Sequence, residues 1–155
     1  YLCKMKNYIY FWEDFEINKE VNLGTYEFTE DEIIKFGKQF DPQYFHVNSQ
    51  LSKESEYKGL IASGWHTCSA IMKLMCNRFL NNTYTLGSPG INNLRWFNPV
   101  RLGDKITGYW KVIEKRESKS KPSLGIMKLK ISGINQNKVT VINMEPIILI
   151  YKKQK

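Results

Sequence analysis

Apolar positions recur every three or four residues up to about residue 80 and then alternate with polar ones, so a helical half precedes a strand-rich half. Thr29-Glu30-Asp31-Glu32 has the form of a capping box, and Ile33, Phe36, Gly37 and Phe40 follow on one face, which predicts a helix of about ten residues. It ends before Asp41-Pro42, because proline has no N–H to donate and disfavours helical backbone in the residue before it. Residues 49–57 predict one or two further turns, broken at Lys58-Gly59. From Ser63 to about Leu80 the side chains Trp65, Cys68, Met72, Met75 and Phe79 share a face, and Ala62, Gly64, Ser69 and Ala70 are small enough to admit close neighbours. This predicts a long, largely buried helix of roughly 27 Å.

Beyond Asn81-Asn82 the segments 94–97, 106–114, 124–134 and 139–151 are rich in Ile, Val, Trp and Tyr. Met127, Leu129 and Ile131 alternate with Lys128, Lys130 and Ser132, the pattern of a strand with one apolar and one solvated face. Turn signals at Asn98-Pro99, Leu102-Gly103-Asp104 and Asn135 to Lys138, with a charged loop from Arg116 to Pro122, predict antiparallel connections. Segment 8–18 is the candidate for a first strand. The whole reads as an α+β domain in which a curved antiparallel sheet wraps its apolar face around a central helix. No repeated βαβ alternation, GxGxxG or GxxxxGKS is present, which argues against a doubly wound nucleotide fold.

Composition narrows this further. With 155 residues, 42% hydrophobic and 25% charged, the chain is expected to form a single domain over 1–155 rather than a disordered segment. A formal charge of +8 favours a polyanionic partner. Cys3, Cys68 and Cys76 are odd in number and lack metal-ligand spacing, so no metal site is expected and a reducing compartment, the cytoplasm, is. The opening residues lack the apolar run of a signal peptide, and 146–151 is too short to span a membrane; the chain starts without methionine, which leaves a preceding segment open.

Asp41 and His46 stand five apart in FDPQYFHVN, among Phe40, Tyr44 and Phe45. An aspartate and an imidazole converging on an apolar pocket can share a water, take its proton and deliver one elsewhere. The plainer reading is that Asp41 ends a turn and His46 is a partly buried histidine. The run Gly59 to Gly64 opens the long helix, so free amides could face a carbonyl oxygen, although the glycines equally suit close helix–sheet packing and Ser63 suits a cap. His66, one turn in, reads as a core or interface histidine.

Three ordered motifs, FDPQYFH, GLIASGWHT and LRWFNPVRLGD (94–104), resemble the MaoC-like acyl dehydratases, the hot-dog family that contains the (R)-specific enoyl-CoA hydratases. The likeness covers about residues 20–112. It implies a hot-dog fold, a homodimer, and a catalytic pair that adds water to a trans-2-enoyl thioester or removes it from a (3R)-3-hydroxyacyl thioester; the pair falls on Asp41 and His46. The helix-opening amide that polarises the thioester carbonyl falls on Gly59, Ser63 and Gly64, with Gln43, Phe45, Leu60 and Trp65 in support. The substrate carries coenzyme A, so no separate cofactor is implied, and no nucleic-acid or membrane partner. Hydratases of the family commonly have Asn two residues after the Asp, where this chain has Gln43; the DPQxFH form resembles a subgroup of its own.

Arg95, Asn98 and Arg101 are candidates for coenzyme A contacts or for fixing turns, and Leu60, Met72, Met75 and Phe79 for lining an acyl tunnel or packing the core. Lys152, Lys153 and Lys155 read as a solvated basic tail. Two rival functions stand beside hydration. One is a hot-dog acyl-CoA thioesterase, which FDPQYFHVNS also faintly resembles. The other is a non-catalytic acyl-CoA or nucleic-acid binding module, suggested by the +8 charge and nine tyrosines but lacking an RNP-like aromatic pair or GXXG loop.

Overall fold

The computed structural model describes residues 7–154, so Cys3 and Lys155 lie outside the described residues. In chain order the elements are β1 (Val21–Glu27), α1 (Glu30–Phe40), α2 (Tyr44–Val47), α3 (Gly64–Arg78), β2 (Thr85–Trp96), β3 (Lys105–Glu117), β4 (Leu124–Ile134) and β5 (Thr140–Tyr151), with short 3-10 turns between some of them. The five strands form an antiparallel sheet in the order β1-β3-β4-β5-β2. Met127, Leu129 and Ile131 are fully buried, while Lys128 and Lys130 turn to the other face, as the alternation predicts. The buried face packs on α3 through Ile71, Leu74 and Met75, and this is the hot-dog arrangement.

Thr29 caps α1 as expected, accepting from the Glu32 N–H, and the helix ends at Phe40. Ile33 and Gly37 are buried, but Phe40 is 64% exposed, because the last turn projects past the core. A larger correction concerns α3. Its buried stripe is His66, Thr67, Ala70, Ile71, Leu74 and Met75; of the apolar set expected to share a face, Met75 and, just past the helix, Phe79 are buried, Cys68 is half-buried, and Trp65 (58%) and Met72 (43%) are exposed. His66, expected inside, and Thr67 fill the first inward turn, so the apolar spacing that starts at Trp65 does not mark the buried face there.

Segment 8–18 is not a strand. Trp12–Asp14 forms a 3-10 turn that the Asp14 carboxylate closes by accepting from the Phe11 N–H at 2.9 Å, and the segment's strand-like pairing is limited to isolated bridges, Tyr10 with Thr83 and Ile17 with Val112. The first strand is β1. β2 starts at Thr85 rather than 94, since Leu86-Gly87-Ser88-Pro89-Gly90 reads as a turn yet runs along the sheet's edge, where proline and register shifts are tolerated. No helix among the described residues is long and apolar enough to cross a membrane.

Candidate active site

The site is built where α1 stops, α2 turns and α3 begins. The Asp41 N–H donates to the Gly37 carbonyl at 2.9 Å, closing α1, after which Pro42 forbids continuation. α2 is a single turn capped by Gln43, and it carries His46 inward to 5% exposure. His46 Nδ1 lies 2.8 Å from the Ile61 carbonyl. A carbonyl only accepts, so Nδ1 carries a hydrogen, and in the neutral tautomer that this selects the lone pair lies on Nε2.

That Nε2 is 3.3 Å from Asp41 Oδ2. In that tautomer the two facing atoms are both acceptors, and a water giving one O–H to each satisfies both. Asp41 Oδ2 also accepts from Ser63 Oγ at 2.7 Å, and Oδ1 accepts from Gln43 Nε2 at 2.8 Å. Burial pushes the Asp41 carboxyl up, but the donors Gln43 and Ser63, with His46 beside them, outweigh it and hold the group below the usual carboxylate range. The carboxylate is therefore ionised at neutral pH and shaped to hold a water.

Ser63 is the N-cap of α3 and accepts from the Trp65 N–H at 3.2 Å. Gly64 is the first helical residue, so its amide belongs to the first turn, whose N–H groups have no partner within the helix and form the positive end of its dipole. These groups border one cavity of about 550 Å³, whose wall includes Phe45, Tyr57, Trp65, Trp96 and Phe97 over a floor of Ile61, Ala62 and Val100. An imidazole and a carboxylate at a helix start, facing a cavity with aromatic walls, can activate water and stabilise negative charge on an oxygen.

Of the residues singled out in the sequence, Asp41, Gln43, Phe45, His46, Ser63, Gly64, Trp65 and Asn98 border this cavity. Gly59, Leu60 and Arg101 border a separate concavity of about 300 Å³ with Lys53 and Lys58. Arg101 donates to the Tyr57 carbonyl at 2.7 Å, Asn98 donates to the Thr140 carbonyl at 2.8 Å, and Arg95 is exposed on β2 opposite Asn143. Leu60, Met75 and Phe79 are core residues, and Met72 is exposed. His66 stacks on Phe36 with 4.7 Å between centroids and stands edge-on to Phe28. No group of three or more His, Cys, Asp or Glu among the described residues is placed to hold a metal ion.

Several cavity residues, Tyr57, Ile61, Thr67, Trp96, Phe97 and Val100, are given no role by the sequence. Tyr57 and Thr67 carried no signal, whereas Trp96, directly before Phe97-Asn98-Pro99, sat inside a motif noted for its turn.

The model of the MaoC like domain matches residues 14–133. The chain belongs to that family. Within it, a MaoC-like dehydratase from Rhodospirillum rubrum has a similar structure, with 27% identity, a TM-score of 0.83, and coverage of 94% of this chain and 99% of that one. The uncharacterized protein YdeM of Bacillus subtilis is 27% identical over 138 residues, 89% of this chain and 96% of YdeM. An (R)-hydratase from A. caviae involved in PHA biosynthesis shares the fold at 19% identity, with a TM-score of 0.71 and coverage of 88% and 97%.

Proposed function

We propose that this chain catalyses the reversible syn hydration of a trans-2-enoyl-CoA to a (3R)-3-hydroxyacyl-CoA, working as a homodimer in the cytoplasm with the DPQ form of the family's site. The observation that carries this is the convergence of His46 Nε2 and Asp41 Oδ2, 3.3 Å apart, on a cavity walled by Phe45, Tyr57, Trp65 and Trp96 at the start of α3. The Rhodospirillum dehydratase and the A. caviae hydratase, with their described activities, support it.

In this mechanism the water held between Asp41 and His46 loses a proton to the pair as its oxygen bonds C3. The π electrons of the double bond move toward C1, and the charge that gathers on the thioester oxygen is met by the Gly64 amide and the positive end of α3. C2 then takes a proton back from the pair, so H and OH add to one face and nothing else is consumed. Dehydration runs the same steps backwards. Phe45, Tyr57 and Trp65 suit an apolar acyl group. Asn98 borders the cavity and Arg101 holds Tyr57, so both, with Arg95 on the neighbouring strand, are candidates for coenzyme A, whose phosphates complement the +8 charge.

The test is loss of enoyl absorbance from crotonyl-CoA with the wild-type chain and with a folded Asp41→Asn variant. Turnover in the wild type that falls at least a hundred-fold in the variant is expected. Unaltered turnover in the variant overturns the assignment, and release of free thiol from a saturated acyl-CoA would mark a thioesterase instead. A monomer mass at every concentration contradicts the dimer.

A further inference from the structure

The residue that ties the site to the sheet is Trp96. Its indole Nε1 donates to the Gly64 carbonyl at 3.0 Å, and the ring lies so close over Gly64 that a Cβ there would stand 2.7 Å from it. Only glycine lets an indole rest on the first turn of α3 in this way. Trp96 itself is held from behind: it pairs with Ile142 across β2 and β5, and the next N–H, that of Phe97, donates to the Val141 carbonyl at 2.9 Å. Val141 and Ile142 are fully buried. Trp65 stands edge-on to Trp96, 5.5 Å between centroids at 76°, and limits rotation of the indole.

Contacts therefore run without a break from β5 through Trp96 to Gly64, and from its neighbour Ser63 to Asp41 Oδ2. Helix ends fray unless something outside the helix holds them. Here the held end carries both the amide offered to the thioester oxygen and the hydroxyl that aims the carboxylate.

We propose that Trp96 is a positioning residue for the hydration, clamping the start of α3 to the end of β2 so that the Gly64 amide and the Ser63 hydroxyl keep their working places. The role of the clamp in turnover rests on the hydratase reading above; the clamp itself does not. A positional error at reacting groups is felt in the rate of the bound complex more than in binding.

The experiment removes the N–H while keeping the bicyclic ring, by the benzothiophene analogue of tryptophan introduced at position 96, which preserves shape and so protects folding; Trp96→Phe removes the N–H together with part of the ring over Gly64. Gly64→Ala attacks the same contact from the other side. Crotonyl-CoA kinetics, thermal midpoint and amide hydrogen exchange are read for each. Loss of one neutral hydrogen bond corresponds to a fall in kcat of about ten-fold. The expected result is that fall with KM within about two-fold and, in the benzothiophene replacement, a midpoint near that of the wild type, together with faster exchange confined to residues 64–67. Wild-type kcat in the benzothiophene variant overturns the proposal, as does a lower kcat with unchanged exchange at 64–67 or with faster exchange throughout the chain. If the wild type turns over no enoyl thioester, the hydratase reading fails, and the clamp is then judged by exchange: faster at 64–67 sustains it, unchanged overturns it.

Discussion

The Ser63 hydroxyl donates to Asp41 Oδ2 at 2.7 Å while its oxygen accepts from the Trp65 N–H at 3.2 Å, so one side chain both starts α3 and aims the carboxylate. Ser63→Ala removes both bonds. Loss of the cap costs about 1 kcal/mol, a fall in Tm of about 2–4 °C for a chain of this size. Loss of the donor lets the Asp41 carboxyl rise, so the acid limb of kcat/KM against pH moves to higher pH. Ser63→Thr, which keeps the hydroxyl, should restore both the melting temperature and the limb.

Gln43 acts on the other oxygen, donating from Nε2 to Asp41 Oδ1 at 2.8 Å. Its hydrogen bond is the first of the influences that lower this carboxyl against the upward push of burial. Gln43→Leu should therefore also move the acid limb upward, because the active form is the carboxylate and activity is lost as pH falls through its pKa. Above the limb, turnover should change only a few-fold, in contrast to the hundred-fold or greater loss expected of Asp41→Asn. Measuring kcat/KM from pH 4 to 8 in all three proteins separates a tuning role for Gln43 from a direct one.

His66 predicts an acid-sensitive stability that has nothing to do with turnover. Burial lowers its pKa below the ordinary histidine value, with Glu32 on α1 pulling the other way, and its ring is packed by Phe36, Phe28 and Tyr26 while Nδ1 has no hydrogen-bond partner. Below about pH 6.5 the unfolded chain binds a proton that the folded chain resists, so this contribution is present above that pH and is lost as pH falls toward the folded value. His66→Phe keeps an aromatic ring in the cluster and removes the titration. Urea midpoints between pH 7.5 and 5 should fall less steeply in the variant; parallel slopes would refute the assignment.

How far the sequence exposed this architecture depends on whether local or distant contacts decided each feature. The cap at Thr29, the stop at Asp41-Pro42 and the alternation through Met127 to Ile131 are local, and all are found where the residues place them. The first half of the buried face of α3 departs from the apolar spacing because it begins with His66, which stacks on Phe36, and Thr67, whose hydroxyl donates to the Ser63 carbonyl one turn back. β1 and the first half of β2 were missed or displaced because edge strands tolerate glycine, proline and exposed polar residues that look like turns. In the site, the spacing of Asp41 and His46 was legible, but the bonds of Ser63 to Asp41 and Trp96 to Gly64 join residues 22 and 32 positions apart. Only the fold brings those together.

Gly37 offers a prediction whose sign runs against helix propensity. In the interior of an exposed helix, alanine is favoured over glycine by about 1 kcal/mol, and Gly37 lies within α1. Here a Cβ would stand 2.9 Å from the His46 carbonyl oxygen and equally close to Val47 Cγ1, so the turn that carries the imidazole rests directly on the glycine backbone. Relieving that overlap means moving backbone on α2, and overpacking of this kind costs about 1–3 kcal/mol, which exceeds the propensity gain. Gly37→Ala should therefore lower Tm rather than raise it. It should also lower kcat, because His46 Nε2 must move relative to Asp41 Oδ2 while α1, which ends on Asp41, stays put. Lys38→Ala at the next, exposed position makes the helix-propensity change without the overlap and should leave both quantities near wild type. A Gly37→Ala protein that melts higher than wild type would show that α2 yields to the methyl at little cost, and that the imidazole is less firmly seated than its contacts imply.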